Sequence, residues 1–498
     1  MSSGPLHLDA DRCYRAVQSK DVRFDGWFVG AVTSTGIYCR PSCPVRPPLR
    51  RNMRFFPTAA AAQQAGFRAC KRCRPDATPG SPEWDSRTDV VARAMRLIAE
   101  GVVDREGVDG LAHRLGYSPR QIERVVRSAV GTGPLALARA QRARTARTLI
   151  ETSDLPFGEV CFAAGFSSIR QFNATIREVY DLTPGQLRRS AGTTRATREG
   201  ELHLKLPFRG PFSPVSLVEH LLAAAIPGVE EPGPHASSAT ARTYRRTLRL
   251  THGTGVVGLT PFADHVGATL RLDDLRDLSS AVARCRRLLD LDADPIAVDE
   301  VLAADPHLRP CIAEAPGRRV PRTVDGAEMT LRVVLAQQVS TAAVRTHAGR
   351  LVQGVDHRVP HGDGSLTHLF PDAAELLAHW DALDVALPDR RRRTIRRLAE
   401  CVAAGDVVLD AGADREQARS ALLAMDGIGP WTVEVVAMRA LGDPDAFPAT
   451  DLVVRRGAER LGLPSTPALL AEHAQRWRPW RSIAVQHLWA VGTRERWP

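Results

Sequence analysis

The chain has 498 residues, 44% of them hydrophobic and 25% charged, with a formal net charge of +11. That length accommodates three or four domains with real cores, and the charge favours an anionic partner, nucleic acid first. No run of about 18 apolar residues occurs and the polar start has no apolar signal core, so neither a membrane span nor a membrane partner is expected.

The first segment, 1–84, is loop-rich, aromatic and punctuated by proline, and it holds the pairs Cys39/Cys43 and Cys70/Cys73. Each close pair can clamp one side of a tetrahedral ion, and four soft thiolates suit one Zn²⁺. Cys13, Cys161, Cys285, Cys311 and Cys401 are scattered and read as small hydrophobes. This usage fits a reducing cytoplasm better than a disulfide framework. Arg40, Arg46, Arg50, Arg51, Arg54, Arg68, Lys71, Arg72 and Arg74 crowd the sulfurs, which suggests thiol chemistry beside a polyanion. The bland alternative is a zinc-stapled scaffold without chemistry. A zinc-dependent base deaminase would need a His-x-Glu near the cysteines, and none is there.

Pro79-Gly-Ser-Pro reads as a linker. Residues 85–190 then become helical and arginine-rich. Two similar units recur: an apolar stretch ending at Gly116 or Gly165, then a capping-box pattern, Ser118-x-x-Gln121 or Ser168-x-x-Gln171. Helix, glycine turn and capped helix make a helix-turn-helix, here doubled and joined by a long helix over Pro134–Thr152. Arg120, Gln121 and Arg124 in the first unit, and Arg170, Gln171 and Asn173 in the second, can reach base edges or phosphates. A generic helical hairpin is the alternative for either unit alone.

A second polar linker runs over 190–200, and 201–275 alternates as strands do. Helical periodicity returns from 278 to the end. There, an apolar helix runs to Asp426, the chain turns through Gly427-Ile428-Gly429, and Pro430 opens the next helix. The two glycines let backbone N–H groups approach a phosphate at a helix N-terminus, so this reads as a helix-hairpin-helix. A simple helical corner is the alternative. Asp451 follows twenty-two residues after Gly429.

Two resemblances carry these patterns further. The run Gly36-Ile-Tyr-Cys-Arg-Pro-Ser-Cys43, with Ala65-Gly-Phe-Arg-Ala-Cys-Lys-Arg-Cys73, closely resembles the N-terminal domain of Ada-type adaptive-response regulators. Ile169-Arg-Gln-Phe-Asn, with Tyr180-Asp-Leu-Thr-Pro184, looks like the signature ending of AraC-type DNA-binding domains. Together they cover about residues 10–190. The Ada resemblance implies that Cys39 is both zinc ligand and acceptor of a methyl group from a methylphosphotriester in DNA. Cys43, Cys70 and Cys73 remain ligands.

The C-terminal half, 200–498, resembles the helix-hairpin-helix DNA glycosylases, nearest the AlkA branch of 3-methyladenine glycosylases. The residues that carry this are Gly427 to Trp431, Phe447-Pro-Ala-Thr-Asp451, Leu335-Ala-Gln-Gln-Val-Ser340 and the tryptophan-rich 477–489. The resemblance implies that Asp451 stabilises positive charge on the deoxyribose as the glycosidic bond breaks. Read without it, Asp451 is a helix cap. Trp431 and Trp489 would line the pocket for a flipped, cationic base. Gln338 sits where the family places the residue that wedges into the emptied stack, an apolar residue in the prototype. Val435 and Ala490 stand where some relatives carry tyrosine, which implies a wider pocket or a different preference.

Lysine occurs only at Lys20, Lys71 and Lys205, so the usual Schiff-base amine is lacking and a monofunctional glycosylase is expected. Cys285, Cys311 and Cys401 are too scattered for the iron–sulfur loop of some relatives. Pro310-Cys311-Ile lacks the histidine and arginine of the O6-methylguanine methyltransferase motif, so that activity is not expected.

The expected fold is therefore multidomain, mainly α with α+β parts. It comprises a small four-cysteine zinc domain over 1–84, an AraC-type double helix-turn-helix domain over 85–190, a small antiparallel-sheet domain over 201–287 and a helix-hairpin-helix glycosylase domain over 288–498. The implied partners are double-stranded DNA, both alkylated and promoter, and RNA polymerase, with the protein in the bacterial cytoplasm at the nucleoid. The rival reading is a transcription regulator whose C-terminal half binds DNA without catalysis.

Overall fold

The computed structural model describes residues 7, 9–76, 90–191, 200–234, 239–383 and 386–493. The linker at 79–82 and most of the one at 190–200 lie outside the described residues. The chain divides into two compact units: 1–208 with 250–253 and 269–283, and 209–249 with 254–268 and 284–498.

In the first unit, β1 (Val29–Val32), β2 (Ile37–Cys39), β3 (Met53–Phe56) and β4 (Arg68–Ala69) form a sheet in the order β3-β1-β2-β4. Gly36 turns β1 into β2 with φ +67°, a conformation that favours glycine. The pair β2–β4 is parallel, with Ile37 opposite Arg68 and Tyr38 opposite Ala69. That register delivers Cys70 beside Cys39. Phe28, Cys13 and Met53 form the small core beneath the sheet.

Helices follow at Val90–Ala99, Val102–Leu115, Pro119–Val130, Pro134–Thr152, Phe157–Ala163, Ile169–Tyr180 and Pro184–Ala191. The helix Val102–Leu115 is broken at Gly107 (φ +70°), so its last two turns form the first helix of the first motif. Gly116 and Gly165 both take positive φ, as the turn pattern requires. The reciprocal capping box forms at Ser118/Gln121. At the second unit only half of it forms: Ser168 Oγ accepts from Gln171 N, while Gln171 Oε1 accepts from Ser167 Oγ at 3.3 Å. Ile122, Val126 and Val130, and Phe172, Ile176 and Tyr180, are the buried stripes of the two recognition helices.

Strands β5 (Leu202–Pro207), β6 (Glu230–Pro232), β7 (Tyr244–Arg249), β8 (Thr254–Pro261) and β9 (His265–Leu272) form a five-stranded sheet in the order β5-β9-β8-β7-β6. Leu202, Leu204 and Leu206 alternate inward as expected. In β7 the alternation breaks. Arg246 is buried because it ion-pairs with Glu230 and Glu328, at 3.2 and 2.7 Å. A reading of 201–275 as strands alone missed the helix Pro214–Ala223, which begins at a proline in its favoured first position. The reading from 278 onward as helix missed the hairpin of β10 (Arg358–Asp363) and β11 (Leu366–His368).

The rest of the second unit is helical. One core gathers Leu335, Val352, Leu398 and Val436, and the other gathers Val454, Trp477 and Leu488. The helices Arg415–Leu423 and Pro430–Arg439 flank the glycine turn; the first ends at Leu423, short of Asp426. The protein is thus multidomain and mainly helical, with small sheets.

Candidate functional site

The four predicted ligands converge. The sulfurs of Cys39, Cys43, Cys70 and Cys73 lie within 4.8 Å of one another. Zn–S bonds of about 2.3 Å in a tetrahedron put sulfurs roughly 3.8 Å apart, so this donor set fits Zn²⁺. The hydrogen bond with Cys73, then burial and the three neighbouring sulfurs, push the Cys39 thiol up. Cys73, which accepts that bond, is drawn down to about 6. Burial first, then the neighbouring sulfurs, push Cys43 up to about 11. Without a cation the cluster disfavours more than one thiolate; a divalent ion removes that repulsion.

Cys43, Cys70 and Cys73 are buried, whereas Cys39 is partly exposed at the end of β2. Asp25 fixes the loop between Cys39 and Cys43, accepting from Ser42 N at 2.9 Å and pairing with Arg40 at 3.4 Å. Around the cluster, Arg46, Arg51, Arg54, Lys71, Arg72 and Arg74 are exposed. The metal loop also touches the second helix-turn-helix: Arg68 pairs with Asp181, the cap of the helix Ile169–Tyr180, at 2.5 Å, and Lys71 reaches it at 3.9 Å. Arg120, Gln121, Arg124, Arg170, Gln171 and Asn173 are all exposed on their helices, as expected.

In the second unit a cleft of about 680 Å³ is lined by Gln338, Arg390, Arg391, Gly427, Gly429, Trp431 and Asp451, among others. Gly427 has φ +86°, and a Cβ there would clash with Thr394 Oγ1. Gly429 has ordinary φ, and a Cβ there would meet nothing within 4 Å. The fold therefore demands glycine at 427, whereas no protein atom restricts a side chain at 429. Gln337 ties the turn down, donating to Gly427 O at 2.9 Å and Thr432 Oγ1 at 3.0 Å. Next to it, exposed Gln338 takes φ +57° at the cleft rim.

Asp451 caps the helix Leu452–Arg460, its Oδ1 accepting from Val454 N at 2.9 Å. It does more than cap. Trp431 Nε1 donates to Oδ2 at 2.8 Å and Trp489 Nε1 donates to Oδ1 at 3.1 Å. Two indole donors and a backbone N–H thus hold both carboxylate oxygens in one orientation. The two tryptophans do not line one hollow. Trp431 and Asp451 line the cleft, whereas Trp489 and Ala490 line a separate hollow of about 420 Å³. Val435 is buried in the core.

Sequence reasoning missed Glu434. It sits one turn along the helix from Trp431, accepts from Phe447 N at 2.7 Å and pairs with Arg419, fixing the loop that presents Asp451. Its only sequence signal is a lone carboxylate in a mostly apolar helix, Pro430–Arg439.

Three family models match: the metal binding domain of Ada over 12–76, a helix-turn-helix domain over 111–190, and the AlkA N-terminal domain over 203–325. The Mycobacterium tuberculosis protein named "probable bifunctional transcriptional activator/DNA repair enzyme AlkA" is 60% identical, over 98% of this chain and 97% of its own length. The "DNA-3-methyladenine glycosylase 2" of Escherichia coli is 31% identical, over 49% of this chain and 84% of its own. The "regulatory protein ada" of Salmonella typhimurium is 34% identical, over 36% of this chain and 49% of its own. With an Ada-type metal segment, a double helix-turn-helix and a glycosylase-like half in one polypeptide, the chain belongs to the family of bifunctional transcriptional activator and DNA repair proteins of the AlkA type.

Proposed function

We propose that this protein senses and repairs DNA alkylation with two separate sites, in the cytoplasm and at the nucleoid. The domains are those read above: a methyl acceptor over 1–84, a promoter-binding domain over 85–190, a sheet domain over 201–287 and a glycosylase domain over 288–498. The observation that carries the repair half is Asp451, gripped by two indoles beside the Gly427–Gly429 turn.

In that half the backbone at Gly427 and Gly429, with Arg390 and Arg391, receives DNA phosphates. Gln338 occupies the gap left by the flipped nucleotide. The C1′–N bond of the alkylated nucleotide then breaks, its electron pair leaving with the base. Asp451 stabilises the positive charge that remains on the sugar. Water adds to C1′ and loses a proton. An N-alkylated base is cationic, so it departs readily and is attracted to the tryptophan faces. No lysine follows Lys205, so hydrolysis ends at an intact abasic site.

In the N-terminal half Cys39 accepts one methyl group per molecule. Its sulfur bonds the methyl carbon, the carbon–oxygen bond of the phosphotriester breaks, and the phosphodiester anion is left in the strand. Zn²⁺ bound by Cys39, Cys43, Cys70 and Cys73 would keep the sulfurs deprotonated at neutral pH. Cys39 suits the role because it is the most open of the four. Methylation removes negative charge from the cluster, so the surrounding arginines hold DNA better and the two recognition helices engage promoter DNA and recruit RNA polymerase. Cys311 is buried and lacks the flanking motif, in keeping with no O6-methylguanine transfer by this chain.

Two measurements test this. Incubation with phosphotriester DNA adds the mass of one methyl group to wild type and none to Cys39→Ser. Methylated duplex DNA releases free base with wild type and not with Asp451→Asn.

A further inference from the structure

The second unit holds a cluster of metal-ligating side chains that the repair chemistry does not use. Asp305 lies in the turn between the helices Pro295–Ala303 and Arg309–Glu314, and His307 follows two residues on. His473 ends the helix Pro467–His473, 168 residues from Asp305. Folding brings one donor atom from each of the three within 4.8 Å of the other two. Both imidazoles address the same carboxylate. His473 Nε2 lies 2.7 Å from Oδ2, and His307 Nδ1 lies 3.1 Å from Oδ1. Zn–N and Zn–O bonds of about 2.0–2.2 Å around a tetrahedron put donor atoms roughly 3.4 Å apart, so these donors stand near coordination spacing.

The surroundings point to a cation as well. The Asp305 carboxylate is buried, and its ionic partners among the described residues are the two imidazoles, with no arginine or lysine. A buried carboxylate without a fixed cation is costly, and a divalent ion supplies the missing charge. The carboxylate is also aimed: Trp477 Nε1 donates to Oδ2 at 2.8 Å, and His307 N donates to Oδ1 at 3.0 Å. Partners of this kind orient metal ligands. His307 is exposed and His473 half-buried, so an ion can enter from solvent. Two imidazoles with one carboxylate suit Zn²⁺ and its neighbours in the first transition row, whereas Mg²⁺ and Ca²⁺ take oxygen ligands.

We propose that Asp305, His307 and His473 form an exchangeable site for one divalent transition-metal ion of the Zn²⁺ class, which staples the turn after Ala303 to the helix Pro467–His473. His307 Nδ1 and His473 Nε2 bind through their lone pairs, with each ring proton on the other nitrogen. Three protein ligands leave a position for water, so this site releases its ion on desalting while the four-cysteine cluster keeps its own. The Trp477 ring packs against His473 at 5.4 Å and against Phe447 at 5.8 Å, and from Phe447 the chain runs on to Asp451. The ion therefore stabilises the second unit beneath the loop that presents Asp451, and it binds whether or not that loop catalyses.

The test uses the full chain with zinc in the four-cysteine cluster, desalted and then titrated with Co²⁺, whose visible absorption reports its ligands. Wild type takes up one equivalent and shows visible d–d bands. It lacks the near-ultraviolet thiolate band that exchange into the cysteine cluster would produce. His307→Gln and His473→Gln can still donate to Asp305, and each weakens uptake by more than about tenfold, the least that loss of a mere supporting partner costs. His307 is exposed, so its variant folds whatever becomes of the other. Added Zn²⁺ raises the thermal transition of the second unit in wild type and in neither variant. Absent visible bands, a thiolate band in their place, or equal uptake by wild type and both variants would overturn the site. Asp305, His307 and His473 would then be a hydrogen-bonded brace and nothing more.

Discussion

Trp431 and Asp451 are joined by an indole N–H donating to Oδ2 at 2.8 Å, so the helix after the glycine turn directly holds the carboxylate twenty residues on. Trp431→Phe keeps the ring and removes the bond. A hydrogen bond to a charged group is worth about 1.5–3 kcal/mol, so kcat for release of 3-methyladenine falls roughly 10- to 100-fold while KM moves less. A change confined to KM would assign Trp431 to DNA binding alone.

The two glycines of the turn separate stability from binding. Gly427→Ala forces a positive φ on alanine and a clash with Thr394 Oγ1, so it destabilises the fold by about 1–3 kcal/mol and lowers Tm. Gly429→Ala meets no protein atom, so Tm holds while affinity for duplex DNA drops. Calorimetry beside a DNA-binding titration distinguishes the two; equal Tm losses would contradict the assignment.

The metal segment predicts one zinc per chain. Cys70→Ala, which removes a buried ligand, loses the metal and unfolds the 9–76 segment, whereas the second unit keeps its thermal transition. Metal analysis with differential scanning calorimetry checks this. Retention of a full equivalent of zinc in Cys70→Ala would exclude the four-cysteine site.

Much of this was legible because it is local. Spacing alone exposes Cys39, Cys43, Cys70 and Cys73. Gly116 and Gly165 mark the two turns because only a positive φ closes them, and the boundaries Pro134–Thr152 follow from a proline start and a polar end. What depends on distant partners was not legible. Arg246 breaks the alternation of β7 because its carboxylates come from Glu230 and from Glu328 on another element. Glu434 steadies the Asp451 loop through contacts that no periodicity encodes. His220 lines its hollow from a helix inside a stretch whose pattern reads as strand, and the convergence of Trp431 and Trp489 on the two oxygens of Asp451 is a three-dimensional fact.

Acid stability follows from Glu230. Burial alone would raise its carboxyl, but Arg332 and Arg246 prevail and hold it at about 2. A carboxylate depressed in the folded state contributes stability that is full above the unfolded value of about 4.3 and is lost as pH falls towards 2. Urea unfolding at pH 6 and pH 3 therefore shows a large drop for wild type and a smaller one for Glu230→Gln, which is already weakened at pH 6. Equal drops in both proteins would remove Glu230 from the account.

Promoter recognition is assigned to both motifs. Arg120→Ala and Arg170→Ala leave Tm unchanged, since both side chains are exposed, and each weakens promoter binding several-fold with a shallower salt dependence. Binding isotherms at several salt concentrations measure this, and an effect from only one of the two would restrict contact to a single motif.

The most direct test of the central claim is release of free base from methylated duplex DNA by wild type and by Asp451→Asn, with circular dichroism and zinc content matched. Release of 3-methyladenine that falls at least a hundredfold in the variant, about 2.7 kcal/mol of transition-state stabilisation, is the predicted result. Equal release by both proteins, or none by a folded wild type, would contradict it and leave the C-terminal half a DNA-binding module of a regulator.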